Sequence, residues 1–553
     1  MPDGAADYFN PFPGLRSFES DETHLFFGRD GQSDDLLRIL GRRRFVAVVG
    51  TSGSGKSSLV RAGVLPALQS GFMAGAGSSW RIATMRPGAN PIDNLATAIN
   101  NSAADTPGEL DLNARHILLE SVLRRNSFGL IEAARITKTA PRENLLVLVD
   151  QFEEIFRLRF DHASGTVAEE EDAAALVRLL LQAIRQVEVP IYVAITMRSD
   201  FLGDCAQFQD LPETMNQAQY LIPRMTRDQR RQAIEGPVAV SGANIAPRLV
   251  QKLLNDVGDA PDQLPILQHA LMRTWDAWYR EGKLEAPIDT AHYESIGGMA
   301  NALSRHAEEA FNELDPSQQM IAQRMFETIS YLGPDNREVR RPTRLSDICE
   351  VAETDLDSMA RVIDFFRTRG RTFLVPPAPE KLRPDSIIDI SHEALIRLWT
   401  RLHNWTVVES ESAATYKRLA DDAARHATGR AALLREPGLS LALMWREKRR
   451  PNEAWARRYA PGFTTAMEFL EASRRANVLA KWTRRIGAAS GFAFAIVFLF
   501  LAITAAQGRR EAQRLRTLAS ARQLIADAQG LERDSPARLN VSALLAIESA
   551  KRA

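Results

Sequence analysis

An apolar run, Phe45-Val46-Ala47-Val48-Val49, passes without a break into Gly50-Thr51-Ser52-Gly53-Ser54-Gly55-Lys56-Ser57-Ser58. The run has the composition of a strand buried on both faces. The residues after it fit the pattern G-x-x-x-x-G-K-[S/T] without a mismatch. In such a loop, glycines let successive backbone N–H groups turn inward around a β-phosphate. Lys56 reaches the β/γ oxygens, the Ser57 hydroxyl can ligate Mg²⁺, and the helix expected to begin near Lys56 adds its positive dipole end. A strand leading into this loop and then a helix predicts an α/β P-loop fold with a doubly wound parallel sheet. Residues Gly50 to Ser58 are its nucleotide-binding set.

A second element lies further along. Leu145-Leu146-Val147-Leu148-Val149 is again continuously apolar and ends in Asp150-Gln151-Phe152-Glu153-Glu154. A carboxylate at the C-terminal end of a buried parallel strand sits beside the phosphate loop in a doubly wound sheet. Asp150 is expected to hold Mg²⁺ through water, with Ser57 as the direct ligand, and Glu153 or Glu154 can polarise an attacking water. The alternative is a solvated acidic turn. Ile191-Tyr192-Val193-Ala194-Ile195-Thr196-Met197-Arg198 reads as another strand. Arg198 at its end is placed either to read a γ-phosphate or to pair with Asp200 or Asp204. Strand and helix signals alternate from 45 to 200, as an α/β sheet with right-handed crossovers requires.

Composition excludes several classes. Lys+Arg and Asp+Glu both number 69, so no overall charge draws the chain toward nucleic acid. With only Cys205 and Cys349, neither a disulfide framework nor a cysteine-based zinc site can form. The opening MPDGAADYFNPFPG lacks the basic and apolar regions of a signal peptide, so the N-terminal part is expected in the cytosol with ATP.

One segment departs from a soluble composition. Residues 486–508 carry no charge, and their centre reads Phe492-Ala493-Phe494-Ala495-Ile496-Val497-Phe498-Leu499-Phe500-Leu501. Roughly 20 apolar residues span a bilayer as a helix. Trp482, Arg484 and Arg485 flank one end and Arg509 and Arg510 the other, as expected at headgroups. Basic residues are equally numerous on the two sides (Arg474, Arg475, Lys481, Arg484, Arg485 against Arg509, Arg510, Arg514, Arg516, Arg522), so charge alone sets no orientation. The ATP site does: the expectation is a single-pass protein of the inner membrane with its NTPase part in the cytoplasm.

Taken together, the phosphate loop, the acidic strand end and Thr196-x-Arg198 resemble the STAND-class signalling NTPases, relatives of the NACHT and NB-ARC switch proteins. More narrowly, the chain resembles the novel STAND NTPases that often precede WD-type repeats in bacteria. The resemblance is carried by Asn10-Pro11-Phe12-Pro13-Gly14-Leu15, Phe26-Phe27-Gly28-Arg29-Asp30, Ile234-Glu235-Gly236-Pro237, Leu264-Pro265-Ile266-Leu267-Gln268-His269-Ala270-Leu271, Gly297-Gly298-Met299 and Ile390-Ser391-His392-Glu393-Ala394-Leu395-Ile396-Arg397. It implies that Gly28 and Arg29 lie against adenine and ribose, that Pro265 packs on the base, and that His392 touches the ADP β-phosphate. The bland reading of His392 is a cap on the helix starting at Glu393. The resemblance also implies ATP/ADP and Mg²⁺ as cofactors, self-association when ATP is bound, and an unnamed protein trigger.

The expected organisation is an adenine-contact segment (1–30), a P-loop NTPase domain (31–225), a helical domain (226–310), a winged-helix domain (311–405), a helical stalk (406–485), a transmembrane helix (486–508) and an amphipathic helical tail (509–553). Arg337, Arg340, Arg341 and Arg344 cluster in the winged-helix segment, but in this class that domain is an internal lid, and nucleic-acid binding is not expected. Trp445, Trp455 and Trp482 punctuate the stalk. In the tail, Leu518, Ala521, Ile525, Ala528 and Leu531 share a face, and Ser535 and Pro536 open a second helix containing Leu544, Leu545 and Ile547. The sequence stops within that helix at Lys551-Arg552-Ala553, as a truncated product or a tail that packs on a partner would. Three functions fit these features: a nucleotide-gated switch with slow hydrolysis by Glu154, a constitutive membrane-associated ATPase, or a nucleotide-bound scaffold that does not hydrolyse.

Overall fold

The computed structural model describes residues 8–552 other than 74, 89, 104–110, 139, 141, 142, 157–166, 259–262, 334–337, 369 and 535–538. Arg337, Ser535 and Pro536 therefore lie outside the described residues. The chain forms two compact units, residues 1–421 with 445–463, and residues 422–444 with 464–553.

The first unit is built on a five-stranded sheet of β1 (Phe45–Gly50), β2 (Trp80–Met85), β3 (Asn144–Val149), β4 (Ile191–Arg198) and β5 (Gln219–Leu221), in the order β2-β3-β4-β1-β5. Every neighbouring pair is parallel. Side chains alternate between two cores, Val49, Val147, Val149 and Ile195 on one face and Val46, Val48, Leu146 and Leu148 on the other. β1 and β3 are buried along their whole length, so their sequences show no polar alternation. β2, at the edge, is buried only at every second residue. The register aligns the C-terminal ends: Gly50 opposes Arg198, Val149 opposes Ile195, and Met85 opposes Val149. The residues that follow these strands are thereby delivered to one edge of the sheet.

A third core joins Phe12 and Leu15 from the N-terminal segment to helices Arg227–Val240, Pro247–Asp256, Gln263–Glu281 and Gly298–Asn312, and continues through Phe326, Phe366, Phe373 and Trp399. The 311–405 segment contains helices Pro316–Thr328, Leu345–Ala352 and Leu356–Arg367. It also holds a hairpin of β6 (Ser330–Leu332) and β7 (Glu338–Arg340), and an antiparallel sheet ordered β8-β10-β9 from Thr343–Arg344, Ile387–Ile390 and Leu374–Val375. Trp445 and Trp455 pack with Tyr416, and Trp455 donates to Glu409. Part of the segment read as a stalk thus folds back into this unit.

The second unit is dominated by a single helix, Phe463–Asp534. It is long and apolar enough to cross a membrane, and none of its most apolar window is buried within the protein. The Leu539–Arg552 helix runs antiparallel to its end, with the Ser542 and Ser549 hydroxyls donating to the carbonyls of Ala528 and Ala521. The small residues Ala521 and Ala528 are the buried ones of the expected apolar face, whereas Leu518 and Ile525 stay exposed.

Candidate functional site

The phosphate loop turns on two glycines with left-handed backbone, Gly53 (φ 68°) and Gly55 (φ 88°), which L side chains rarely adopt. Lys56 lies across it, its ammonium donating to the carbonyls of Gly50 (3.1 Å) and Thr51 (2.8 Å). Burial lowers the Lys56 amine, opposed mainly by the carboxylate of Glu153. The helix that follows starts as an α-turn (Lys56–Ser58), widens to a π-helical stretch (Leu59–Val64) and returns to α geometry (Leu65–Gln69).

Asp150 is almost wholly buried behind the loop. Its Oδ1 accepts from the hydroxyls of Ser57 (2.7 Å) and Thr196 (2.6 Å), and its Oδ2 pairs with Arg61 (3.2 Å). Burial alone would raise this carboxyl, but Arg86 and Arg61, with the two hydroxyls, hold it below the ordinary range. Glu153 lines the cavity in front of the loop and accepts the Arg198 N–H (3.3 Å). Glu154 turns toward the loop after β2, where its Oε2 accepts from the Gly88 N–H (3.0 Å), and burial raises its carboxyl. The two acids left open by the sequence therefore face different ways.

That cavity, about 440 Å³, is lined by Ser52, Gly53 and Gly55 to Ser58 of the loop, by Pro265, and by residues 374–377 and 391–393. His392 stands over the phosphate end. Its Nδ1 accepts from the Ala394 N–H (3.1 Å), which caps the short helix there. Nδ1 thus carries the lone pair and the ring proton belongs on Nε2, a buried atom without a partner among the described residues. Burial, then Arg340, pushes this imidazole down to about 3, so it is neutral near pH 7. Next to it, Glu393 pairs with Arg198 (2.7 Å), which also pairs with Asp200 (2.6 Å). Arg340 joins Asp389 (2.6 Å) and reaches Gln151 Oε1 (3.5 Å) beside Asp150.

The N-terminal segment straps the other side. The Phe18 N–H donates to Ser58 Oγ (3.2 Å), and Glu19 pairs with Arg61 (2.7 Å). Asn10 donates to the Met272 carbonyl (3.0 Å). Gly28 packs so tightly on the Arg227–Val240 helix that a Cβ would lie 2.3 Å from the Gln229 carbonyl oxygen, and one on Gly236 would lie 2.5 Å from the Phe27 ring. Arg29 is spent on the carbonyls of Ser54 (2.6 Å) and Pro223 (2.8 Å). It lines the cavity while fixing the loop. Pro265 lies in the first turn of Gln263–Glu281 at the cavity wall.

The structure thus gathers Ser52, Gly53, Gly55 to Ser58, Glu153, Arg198, Arg29, Pro265 and His392 around one space, with Asp150 buried behind it on Ser57. Its orphaned donor at His392, glycine cradle and hydroxyl–carboxylate pair at Ser57 and Asp150 fit a nucleotide phosphate chain with Mg²⁺. Arg61 and Arg86 also border this space and escaped the sequence reading, and so does Arg340, which the sequence offered only as one of an arginine cluster.

A parallel sheet with this loop after β1 and an acidic residue after β3 is the fold of a P-loop NTPase. The chain belongs to the novel STAND NTPase 1 family, whose model matches residues 11–432. Solved structures similar to it include the Aeropyrum pernix ORC2 protein in ADPNP-ADP complexes (12% identity, TM-score 0.38, 69% of this chain and 94% of that one). Drosophila ORC bound to DNA is also similar (14%, 0.33, 72% and 96%), as is the E. coli MS115-1 HORMA:CdnC:Trip13 complex (15%, 0.32, 51% and 92%). These likenesses are too distant to bear on function. A comparison with curated proteins finds no match.

Proposed function

We propose that the chain is a membrane-anchored, nucleotide-gated signalling switch of the inner membrane, closed with ADP and open with ATP, that hydrolyses ATP slowly and self-associates in the ATP state. The observation that carries this reading is the roof: His392, Glu393 and Arg340 line the same cavity as the phosphate loop although they lie far along the chain from it, and Glu393 pairs with Arg198, 195 residues earlier at the end of β4. Ligand in the cavity and position of the roof are therefore one equilibrium, biased by whatever the two nucleotides contact differently. The segment at 311–405 serves as a winged-helix lid, 226–310 as the helical domain between lid and sheet, and the Phe463–Asp534 helix as the anchor.

In this scheme Lys56 and the loop amides hold the phosphates, and Ser57 and Asp150 would hold Mg²⁺, which would supply neutralisation of charge on the phosphoryl oxygens. His392 donates from Nε2 to the β-phosphate, and Gly28, Arg29 and Pro265 border the base and ribose. Glu153 faces the cavity and Glu154 the Gly88 amide, so the two are separable by substitution. Glu154→Gln is expected to slow single-turnover hydrolysis and retain ATP in an assembled state. A normal rate in that variant, with a slowed one in Glu153→Gln, would transfer the role to Glu153.

Removing the Nε2 donor by His392→Ala is expected to speed ADP release by about 10-fold or more, the lower end of the range for one hydrogen bond to a charged group. Stopped-flow displacement of a fluorescent ADP measures it, and an unaltered rate would leave His392 with only its capping role. The whole reading is tested by the nucleotide that copurifies and by steady-state turnover. Bound ADP with slow turnover is expected; rapid unstimulated hydrolysis would favour a working ATPase instead.

A further inference from the structure

We propose that Arg86 recognises the third phosphate of a bound nucleoside triphosphate and is the residue by which this chain distinguishes ATP from ADP. The proposal rests on the nucleotide-site reading above and adds to it a contact that no motif assigns.

Sheet register carries the argument. Met85 opposes Val149, and the Asp150 N–H donates to the Met85 carbonyl (2.8 Å), so Arg86 leaves β2 level with Asp150. Its backbone is fixed from the Pro91–Ser102 helix, where the Asn94 amide donates to the carbonyls of Arg86 (3.2 Å) and Pro87 (2.8 Å). Two residues on, Gly88 holds Glu154. The Arg86 side chain lines the same cavity as Lys56 and Ser57.

The other arginines bordering the phosphate end are already engaged. Arg61 is shared between Glu19 and Asp150, Arg198 between Glu393 and Asp200, and Arg340 holds Asp389. Arg86 has no ion pair among the described residues, although its charge acts through space on both Asp150 and Glu154. A guanidinium has five N–H donors in a planar fork suited to phosphate oxygens. Across the sheet edge the order β2-β3-β4-β1 sets Arg86 and Lys56 on opposite sides of Asp150. A phosphate chain anchored at Lys56 that advances past Asp150 meets Arg86 with its third phosphate, and a diphosphate stops short.

The test is equilibrium binding of a fluorescent non-hydrolysable ATP analogue and of fluorescent ADP to the full chain in detergent. Arg86→Ala is expected to weaken the ATP analogue by about 10- to 100-fold, the range for a hydrogen bond to a charged group, and ADP by less than about 2-fold. Arg86→Lys keeps the charge without the fork and is expected to recover part of the ATP affinity. An unchanged ATP-to-ADP ratio in Arg86→Ala would overturn the proposal, as would equal losses for both nucleotides. Should Arg86→Ala fail to fold, the same ratio is read on Arg86→Lys and Arg86→Gln. A wild-type chain that binds neither nucleotide would instead remove the site reading on which the proposal stands.

Discussion

Lys56→Ala is expected to abolish retention of ATP and ADP, lowering affinity by roughly 30-fold to several thousand-fold, equivalent to about 2–5 kcal/mol for truncating a desolvated charged partner. The ammonium lies at the mouth of the loop, held by the Gly50 and Thr51 carbonyls at 3.1 and 2.8 Å. Partial burial has already stripped part of its hydration and lowers the amine, so a phosphate replaces those carbonyls without a large further desolvation cost. Isothermal titration with each nucleotide measures the loss, and wild-type affinity in the variant would sink the site assignment. Thermal unfolding without nucleotide is expected to change little, because the Lys56 hydrogen bonds among the described residues go only to the carbonyls of Gly50 and Thr51.

A comparably large effect is expected at the apolar helix. Phe494 and Phe498 are 69% and 72% exposed and lie one turn apart near the centre of the uncharged run. Each arginine at the centre of a spanning helix costs about 2.5–3.5 kcal/mol, so Phe494→Arg with Phe498→Arg together cost about 5–7 kcal/mol of insertion free energy. Wild-type chain is expected to float with vesicles and resist alkaline extraction, and the double variant to do neither. A wild-type chain that stays soluble without detergent would refute the anchor, whatever the outcome at Lys56.

Much of the phosphate end was legible because it is written contiguously: an apolar strand, a glycine loop and a lysine, then a second strand ending in Asp150. What escaped is tertiary. Nothing local to Phe45–Gly50 or Asn144–Val149 says that Ile191–Arg198 lies between them, or that Thr196 on that strand donates to Asp150. The Arg198–Asp200 pair was visible as a short-range alternative, but Glu393 lies 195 residues away. Arg61 looks like a solvated arginine in sequence because both its partners, Glu19 and Asp150, are far along the chain. At His392 the capping role is present in the fold, and the same hydrogen bond turns the other ring nitrogen to the cavity. Charge content suggested a stalk after residue 405, whereas Tyr416, Trp445 and Trp455 had the aromatic bulk to nucleate a packed cluster.

The straps over the cavity also fix when it can exist during synthesis. Tyr8 finds its partner Asp276 268 positions later, and Gln151 meets Arg340 189 positions later. Contacts of such separation form late, after the loop entropy between their ends has been overcome. A ribosome that has made the whole sheet has still not delivered the roof, so the nascent chain displays an open phosphate loop until Glu393 has emerged.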